Sequence, residues 1–215
     1  MGYIGTKPSA VPLTSADITD GIITSAKIAD GTIVNADINA SAGIVQSKLS
    51  GSFGITEADM FRITSNFSYT GAQGAVVLSS NWERVDSNSF DKIGTGITQS
   101  SGVFTFPSTG IYLITFNFHA EGSNTNNNRF IVSGIEVSTD GTAFNASGDA
   151  GTNALGNTMG TDTRASGVIF HQFDVTNVST HKVRFFVACN NNNVTFFGNT
   201  NQSFNYVNFI RLGDT

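Results

Sequence analysis

A ten-residue repeat near the N terminus restricts the fold of this chain more than any other sequence feature. Isoleucines recur at ten-residue spacing, at Ile18, Ile28 and Ile38 and again at Ile23 and Ile33. A coiled coil needs an apolar residue about every 3.5 residues, so the spacing disfavours one. The glycines inside the units also disfavour one continuous helix, because glycine is a poor helix former.

Turn-forming residues divide each unit of the repeat. Ser15, Ser25 and Asn35 begin successive units, and each can cap a single helical turn. Asp20-Gly21 and Asp30-Gly31 then act as tight-turn signals, because glycine adopts positive φ without steric cost. We therefore expect a short turn, a tight bend and a short extended piece in every unit.

The apolar side chains of the repeat need a partner. A single strand of this kind has nothing of its own against which to bury them, so it is expected to be disordered alone. Parallel copies around a threefold axis would bring the isoleucines together in layers. We predict a trimeric decapeptide-repeat stalk at residues 15–57, after an anchor segment at residues 1–14; a flexible linker with an accidental repeat is the alternative. The predicted stalk core consists of Ile18, Ile23, Ile28, Ile33, Ile38 and Leu49.

Residues 58–215 have the composition of an all-β domain and the spacing of strand-like and turn-like runs that is typical of one. Only 13% of the chain is charged, and glycine, serine, threonine and asparagine are plentiful, as is typical of turn-rich β proteins. Short β-rich runs alternate with turn residues at the spacing of an antiparallel sandwich. The predicted strands are residues 61–69, 75–78, 102–106, 110–119, 129–137, 167–175, 182–189, 194–197 and 204–212.

Several of these strands carry apolar residues on both faces. Alternation with a period of two is clearest at Tyr112, Ile114, Phe116 and Phe118. We expect one face to line the sandwich core and the other to form a subunit interface. Burial of one phenylalanine contributes about 1.5–3 kcal/mol, so a handful can hold a trimer together. The residues assigned to core or trimer interface are Tyr112, Ile114, Phe116, Phe118, Phe185, Phe204, Tyr206 and Phe209.

Residues 102–118 contain a motif of a known type. They read GVFTFPSTGIYLITFNF and resemble the glycine–x–phenylalanine–threonine–x–proline…glycine–x–tyrosine–x–phenylalanine signature of the complement first-component globular head. Trp82 and Phe90-Asp91 stand where that family has early short strands, and residues 203–210 are similar to its closing strand. The resemblance implies a trimeric jelly roll of the complement and tumour-necrosis-factor type, with about ten strands. Phe106 departs from the pattern, because the family commonly has cysteine there.

The N-terminal repeat, with the opening MGYIGT, is similar to virion proteins of tailed bacteriophages, especially fibres of marine cyanophages. The chain does not open with the apolar stretch of a secretory signal, which fits assembly in a host cytoplasm and release in a virion. The resemblance implies three kinds of partner. These are other copies of the chain as a homotrimer, other virion proteins through residues 1–14, and a host surface glycan or protein.

Recognisable catalytic chemistry is missing from the sequence. No phosphate loop, nucleophile elbow or paired-carboxylate motif occurs, and His119 with Glu121 is interpreted as part of a solvated turn rather than as metal ligands. The net charge of -5 disfavours nucleic acid, and no stretch reaches membrane-spanning length. Cys189 is the single cysteine, so no disulfide forms within the chain. We predict a non-enzyme without a cofactor; related heads sometimes hold calcium, but no residue here demands it.

Ligand contacts are expected in three loops, at residues 121–128, 140–164 and 190–193. These loops are rich in asparagine, glycine, serine and threonine, whose amides and hydroxyls suit hydrogen bonding to sugars, and Phe144 can stack on a sugar ring. A spacer surface without a ligand is the alternative. The candidate contact residues are Asn126, Asn127, Asp140, Phe144, Asn145, Asp149, Asn153, Asn157, Asp162, Asn191 and Asn192.

The sequence thus predicts a non-enzymatic virion protein: a trimeric head or tail fibre whose distal head contacts the host cell surface. A capsid decoration protein without receptor binding is one alternative. A secreted complement-like or cytokine-like binding module is the other.

Overall fold

The chain consists of two compact units, Met1–Gly51 and Ser52–Thr215, which we call the repeat segment and the head. The computed structural model describes residues 14–45, 48, 54–87, 90–122, 130–152, 163–190 and 194–215. The predicted border between stalk and head, at residue 58, lies inside the second unit.

The repeat segment is a regular succession of hydrogen-bonded turns. Single 3-10 turns form at Ser15–Asp17, Ser25–Lys27 and Asn35–Asp37. Between them the chain bends at Gly21 and Gly31, both with a φ of 76°, which glycine adopts without strain. The backbone therefore repeats with the ten-residue period of the isoleucines.

The apolar side chains of the repeat segment are uncovered in the single chain. Those of Ile18, Ile23, Ile28, Ile33 and Ile38 are between 38% and 53% exposed. Every residue from 14 to 45 whose side chain is described is exposed. The remaining predicted stalk-core residue, Leu49, lies outside the described residues.

The described part of the head is built from thirteen strands. They are β1 (Ala58–Ile63), β2 (Ser65–Ser68), β3 (Val76–Val77), β4 (Trp82–Arg84), β5 (Thr98–Ser100), β6 (Val103–Thr105), β7 (Gly110–Gly122), β8 (Ile131–Ser138), β9 (Asn145–Thr152), β10 (Thr163–Val175), β11 (Lys182–Cys189), β12 (Val194–Asn199) and β13 (Tyr206–Gly213).

Two antiparallel sheets contain these strands. The first has the order β2-β12-β7-β13-β1-β4, and β10 pairs with β7 along the whole length of both strands. The second has the order β5-β6-β11-β8-β9, with β3 paired to β11. The all-β, two-sheet architecture confirms the predicted fold class.

Aromatic side chains fill the space between the sheets. Strand β7 alternates strictly between buried and half-buried residues, and Tyr112, Ile114, Phe116 and Phe118 are fully buried. Phe104 lies at the centre, with ring contacts to Phe61, Trp82, Phe185 and Phe209 at centroid distances of 5.3–5.4 Å. Such edge-to-face and tilted contacts stabilise the core beyond the burial of apolar area.

The strand predictions differ from the structure at several points. Strands β4 (Trp82–Arg84) and β5 (Thr98–Ser100) lie outside every predicted strand. Residues 61–69 form two strands, because the N–H of Thr64 donates to the carbonyl of Asn81 (2.8 Å) and the pairing partner changes from β13 to β12. The prediction of one loop over residues 140–164 is wrong for Asn145–Thr152, which pairs with β8 as β9. That strand, NASGDAGT, shows no apolar alternation, so backbone pairing rather than side-chain pattern defines it.

Within the described ranges, the chain contains no helix of the length and apolar character needed to cross a membrane.

Candidate functional site at the far pole of the head

The strands give the head two poles. At the near pole, β1 begins, β7 begins at Gly110 and β13 ends at Gly213. At the opposite end, the far pole, Gly122 at the end of β7 pairs with both Thr163 and Val194, where β10 and β12 begin. Strand β8 begins, and strands β9 and β11 end, at this pole as well.

This topology brings together the strand ends that lie on either side of most of the predicted contact residues. Residues 123–129, 153–162 and 191–193 are all attached to strand ends at the far pole. Seven of the predicted contact residues belong to these segments and lie outside the described residues: Asn126, Asn127, Asn153, Asn157, Asp162, Asn191 and Asn192.

The other predicted contact residues lie elsewhere. Asp140 and Phe144 occupy the β8–β9 connection at the near pole, Asn145 begins β9, and Asp149 lies within β9 opposite Gly134. The structure therefore separates the predicted contact residues into two groups, because β9 runs from one pole to the other.

The two predicted contact residues at the near pole, Asp140 and Phe144, already have structural partners. The Asp140 carboxylate accepts hydrogen bonds from the N–H groups of Thr142 and Ala143, each at 2.8 Å, and from the Ser138 hydroxyl. These bonds lower the pKa of Asp140 to about 2. The Arg184 guanidinium lies 4.3 Å from the centre of the Phe144 ring, so one face of that ring is occupied.

A buried amide organises the strand junction below the far pole. Strand β13 pairs with β7 as far as Asn117, whereas β12 pairs with β7 from Ala120 onwards. The Asn205 side chain fills the interval: its Nδ2 donates to the carbonyls of His119 (2.8 Å) and Phe197 (2.7 Å), and its Oδ1 accepts from the His119 N–H (3.0 Å). Asn205 is fully buried, so these bonds are shielded from water.

The junction presents a cluster of side chains on the outward face of the first sheet. We call His119, Glu121, Arg164, Ser166, Phe197 and Phe204 the far-pole cluster. The His119 ring stacks on Phe204 at 5.7 Å and packs against Phe197 at 5.2 Å. Its Nδ1 lies 2.5 Å from the Ser166 hydroxyl on the neighbouring strand. His119 thus lies within β7 and not in a solvated turn, which corrects the sequence-based interpretation.

The charges of the cluster are paired with each other. The Arg164 Nε donates to Glu121 at 2.9 Å, and the guanidinium also lies 5.5 Å from the centre of the Phe197 ring. Burial lowers the pKa of His119 below its ordinary value of 6.5; the Arg164 charge acts in the same direction, and Glu121 opposes it. The cluster therefore favours a neutral imidazole between two aromatic rings.

The metal-binding and nucleophilic groups among the described residues bear on the chemistry of this surface. No three histidine, cysteine, aspartate or glutamate side chains approach closely enough to hold a metal ion within the described part of the chain. Burial raises the pKa of the Cys189 thiol to about 12, so its nucleophilic thiolate is scarce at neutral pH. The far-pole cluster supplies aromatic faces, a guanidinium, a carboxylate and a hydroxyl, which are groups that contact sugars and proteins.

A second surface extends from the cluster across the outward face of the first sheet. Phe170 and Val168 on β10 are 72% and 53% exposed, which is unusual for large apolar side chains. Leu113, Tyr206 and Ile210 on β7 and β13 are half-buried on the same face. The eight residues assigned to core or interface divide accordingly: Tyr112, Ile114, Phe116, Phe118, Phe185 and Phe209 face the core, whereas Phe204 and Tyr206 face outward.

The sequence contained signals for part of this arrangement. Asn205 is two residues before Val207 and four before Phe209, so its side chain lies on the same inward face as theirs. An amide among buried apolar residues indicates that its hydrogen bonds have a specific structural role. Arg164, Ser166 and Phe197 had no such signal. They meet His119 only because β10 and β12 pair with the same end of β7.

Comparison with known proteins supports the fold of the head. No protein-family model and no curated protein matches the chain. The structure of murine APRIL at pH 5.0 is similar with a TM-score of 0.51 and 10% identity, covering 73% of this chain and 98% of the chain in that structure. The Eiger TNF of S. frugiperda has a TM-score of 0.52 and 11% identity, covering 74% and 93%.

A further structure, the PRD1 vertex protein P5, has a TM-score of 0.44 at 17% identity, covering 75% of this chain and all of P5, and this score is too low to support a conclusion. At such identities the likeness to APRIL and Eiger concerns the fold alone. The head of this protein therefore has the tumour-necrosis-factor-like jelly-roll fold.

Proposed function

We propose that the protein is a non-enzymatic structural protein of a virus particle: a homotrimeric head or tail fibre whose jelly-roll head contacts the host cell surface. One observation carries the proposal. Every isoleucine of the ten-residue repeat between residues 14 and 45 is uncovered in the single chain, although the backbone of the segment is regular.

The energetics of the repeat favour association. Full burial of one isoleucine contributes about 1.5–3 kcal/mol, and each repeat unit offers two to three large apolar side chains. A segment with no buried side chain lacks the apolar burial that would offset the entropy lost on ordering. Association of identical copies supplies that burial in every unit at once, because the same pattern recurs at the same spacing.

The head offers a second surface for the same assembly. The outward face carries Phe170 and Val168 on β10 and Tyr206 and Ile210 on β13, with Thr115 and Asn117 of β7 between them. Exposed apolar patches of this kind are typical of interaction surfaces. A threefold arrangement would bury this face against the neighbouring copies and leave the far-pole end of the head for the host surface.

Light scattering on the purified full-length chain tests the assembly. We expect the mass of three chains, about three times 22.7 kDa. Phe170→Asp is expected to dissociate or weaken the trimer, because it places a charge in the apolar face. Thr98→Asp adds the same charge at an exposed position of β5 in the other sheet and should leave the mass unchanged. A monomeric wild-type protein contradicts the proposal.

Particles that lack the protein test its role in host contact. We expect such particles to be intact but to adsorb poorly to host cells, and added purified protein to compete with wild-type particles for adsorption. Normal adsorption combined with loss of particle stability would instead identify a capsid decoration protein. An image of the assembled particle with an antibody bound to the head would locate the chain on the head or the tail.

A further inference from the structure

The second 3-10 turn differs from the first and third in the charge of its last residue. Lys27 ends the second 3-10 turn, where Asp17 and Asp37 end the first and third. The three turns are otherwise alike, since each closes with a backbone hydrogen bond from this residue to the carbonyl three residues earlier, at 2.9–3.0 Å. Lys48, which closes the following turn with a bond from its N–H to the Val45 carbonyl (2.9 Å), is the other lysine at this position.

The two aspartates stabilise their own units. The Asp17 Oδ2 accepts from the Thr14 N–H (2.8 Å) and the Thr14 hydroxyl (2.7 Å), and the Asp37 Oδ2 accepts from the Val34 N–H (2.9 Å). These bonds lower the pKa of Asp17, as expected for a carboxylate that accepts hydrogen bonds. A lysine has no acceptor, so Lys27 cannot do the same for Thr24.

Lys27 is also isolated electrostatically within the chain. It is the one cation between residues 14 and 45, where the other charged residues are Asp17, Asp20, Asp30 and Asp37. Across the described residues its ammonium makes no ion pair or side-chain hydrogen bond. The carboxylates of Asp20 and Asp30, in the bends on either side, are equally without partners there.

We propose that Lys27 forms an ion pair with Asp30 of a neighbouring copy. The second unit is then stabilised by a contact between chains, whereas Asp17 and Asp37 stabilise the first and third units by hydrogen bonds within one chain. The inference rests on the homotrimer proposed above. In parallel, aligned chains Asp30 is the nearest unpaired carboxylate, three residues along, whereas Asp20 is seven residues away. Without such pairs, three lysines would surround the axis and repel each other.

The pair also adds information that the isoleucines lack. Ile18, Ile28 and Ile38 recur at one spacing, so these three residues alone do not distinguish aligned chains from chains shifted by ten residues. A polar contact that occurs in one unit only favours a single alignment, as buried polar residues do in coiled coils.

Lys27→Asp separates this inference from an effect of local capping. Within one chain the substitution restores the carboxylate of the first and third units, so local capping alone predicts a more resistant repeat segment. The inter-chain pair predicts the opposite, because three cations become three anions beside Asp30. We expect thermolysin to cleave the repeat segment of the full-length Lys27→Asp protein at least about threefold faster than wild type at low salt, with the difference shrinking as salt is raised.

Two further variants complete the test. Asp30→Asn keeps the bend and removes the charge, so it is expected to accelerate cleavage as well. Lys27→Asp combined with Asp30→Lys is expected to restore resistance, whereas rescue by Asp20→Lys instead would overturn the Asp30 assignment. If the Lys27→Asp protein is a trimer by light scattering and is cleaved no faster than wild type, the inter-chain pair is refuted and the proposed trimer is not. A wild-type monomer refutes the proposed function.

Discussion

At the scale of single residues, one buried amide holds the strand junction on which the far-pole cluster is built. Asn205 donates two hydrogen bonds and accepts one, all to backbone groups of β7 and β12. Asn205→Ala leaves the His119 N–H and two carbonyls unpaired in the interior, which should cost about 3 kcal/mol of unfolding free energy.

Urea unfolding measured at pH 7 checks this value. Asn208→Ala, which removes the same amide from a half-buried position of β13, is the matched control and should cost less than about 1 kcal/mol. Equal effects of the two substitutions would contradict a bridging role for Asn205.

The protonation of His119 gives a second residue-scale prediction. Burial lowers its pKa below 6.5 in the folded protein, so the unfolded chain binds a proton at a higher pH than the folded chain does. The stabilising contribution is therefore complete above pH 6.5 and is lost as the pH falls below that value. His171 has its pKa lowered by burial as well and contributes with the same sign.

Denaturant unfolding at several pH values between 5 and 8 measures these contributions. His119→Asn and His171→Asn should each flatten the decline in stability below about pH 6.5, and the double variant should flatten it further. If the slope of unfolding free energy against pH were unchanged in both variants, other titratable groups would control the loss of stability at acid pH.

At the scale of elements, an ion pair with a buried carboxylate ties the short edge strand β4 to its sheet. Asp59 on β1 is nearly inaccessible and accepts from the Arg84 Nε on β4 (3.0 Å) and from the Ile97 N–H (2.8 Å). Asp59→Ala should cost about 3 kcal/mol, because it removes the buried acceptor of both the Arg84 Nε and the Ile97 N–H, although the Arg84 Nη2 keeps its hydrogen bond to the Ile97 carbonyl. Glu121→Ala breaks the more exposed pair with Arg164 and should cost less than about 1 kcal/mol.

Thermal or urea unfolding of these two variants ranks the pairs directly. If Glu121→Ala were the more damaging, the far-pole pair would be structurally more important than its exposure indicates.

The strands differ in how well the sequence predicts them, and the reason is visible in two cases. Strand β11 has the predicted bounds Lys182–Cys189, because Val183, Phe185 and Val187 alternate with polar residues and flank the core. Strand β9 was missed because its glycines and small polar side chains resemble those of a loop. Its strand character comes from the exposed edge of β8, which no local pattern reveals.

At the scale of the whole molecule, stability should depend on protein concentration. If three chains bury the repeat isoleucines and the Phe170 face, association favours the folded trimer by mass action. The midpoint of thermal unfolding is expected to rise with concentration over a hundredfold range. Calorimetry of wild type and Phe170→Asp measures this, and the dependence should weaken in the variant; a concentration-independent midpoint in wild type would contradict association.

By itself, the amino-acid sequence determined the ten-residue period, the turns at its glycines, the all-β class of the head and the inward row of β7. These are local or periodic properties, and each depends on residues close together along the chain. Only the tertiary structure decided which chain segments meet at the far pole, that β9 is a strand, and that Asn205 bridges β7 and β12. Those features depend on pairing between residues far apart in sequence. A local sequence pattern does not specify which distant strand pairs with it or in which register.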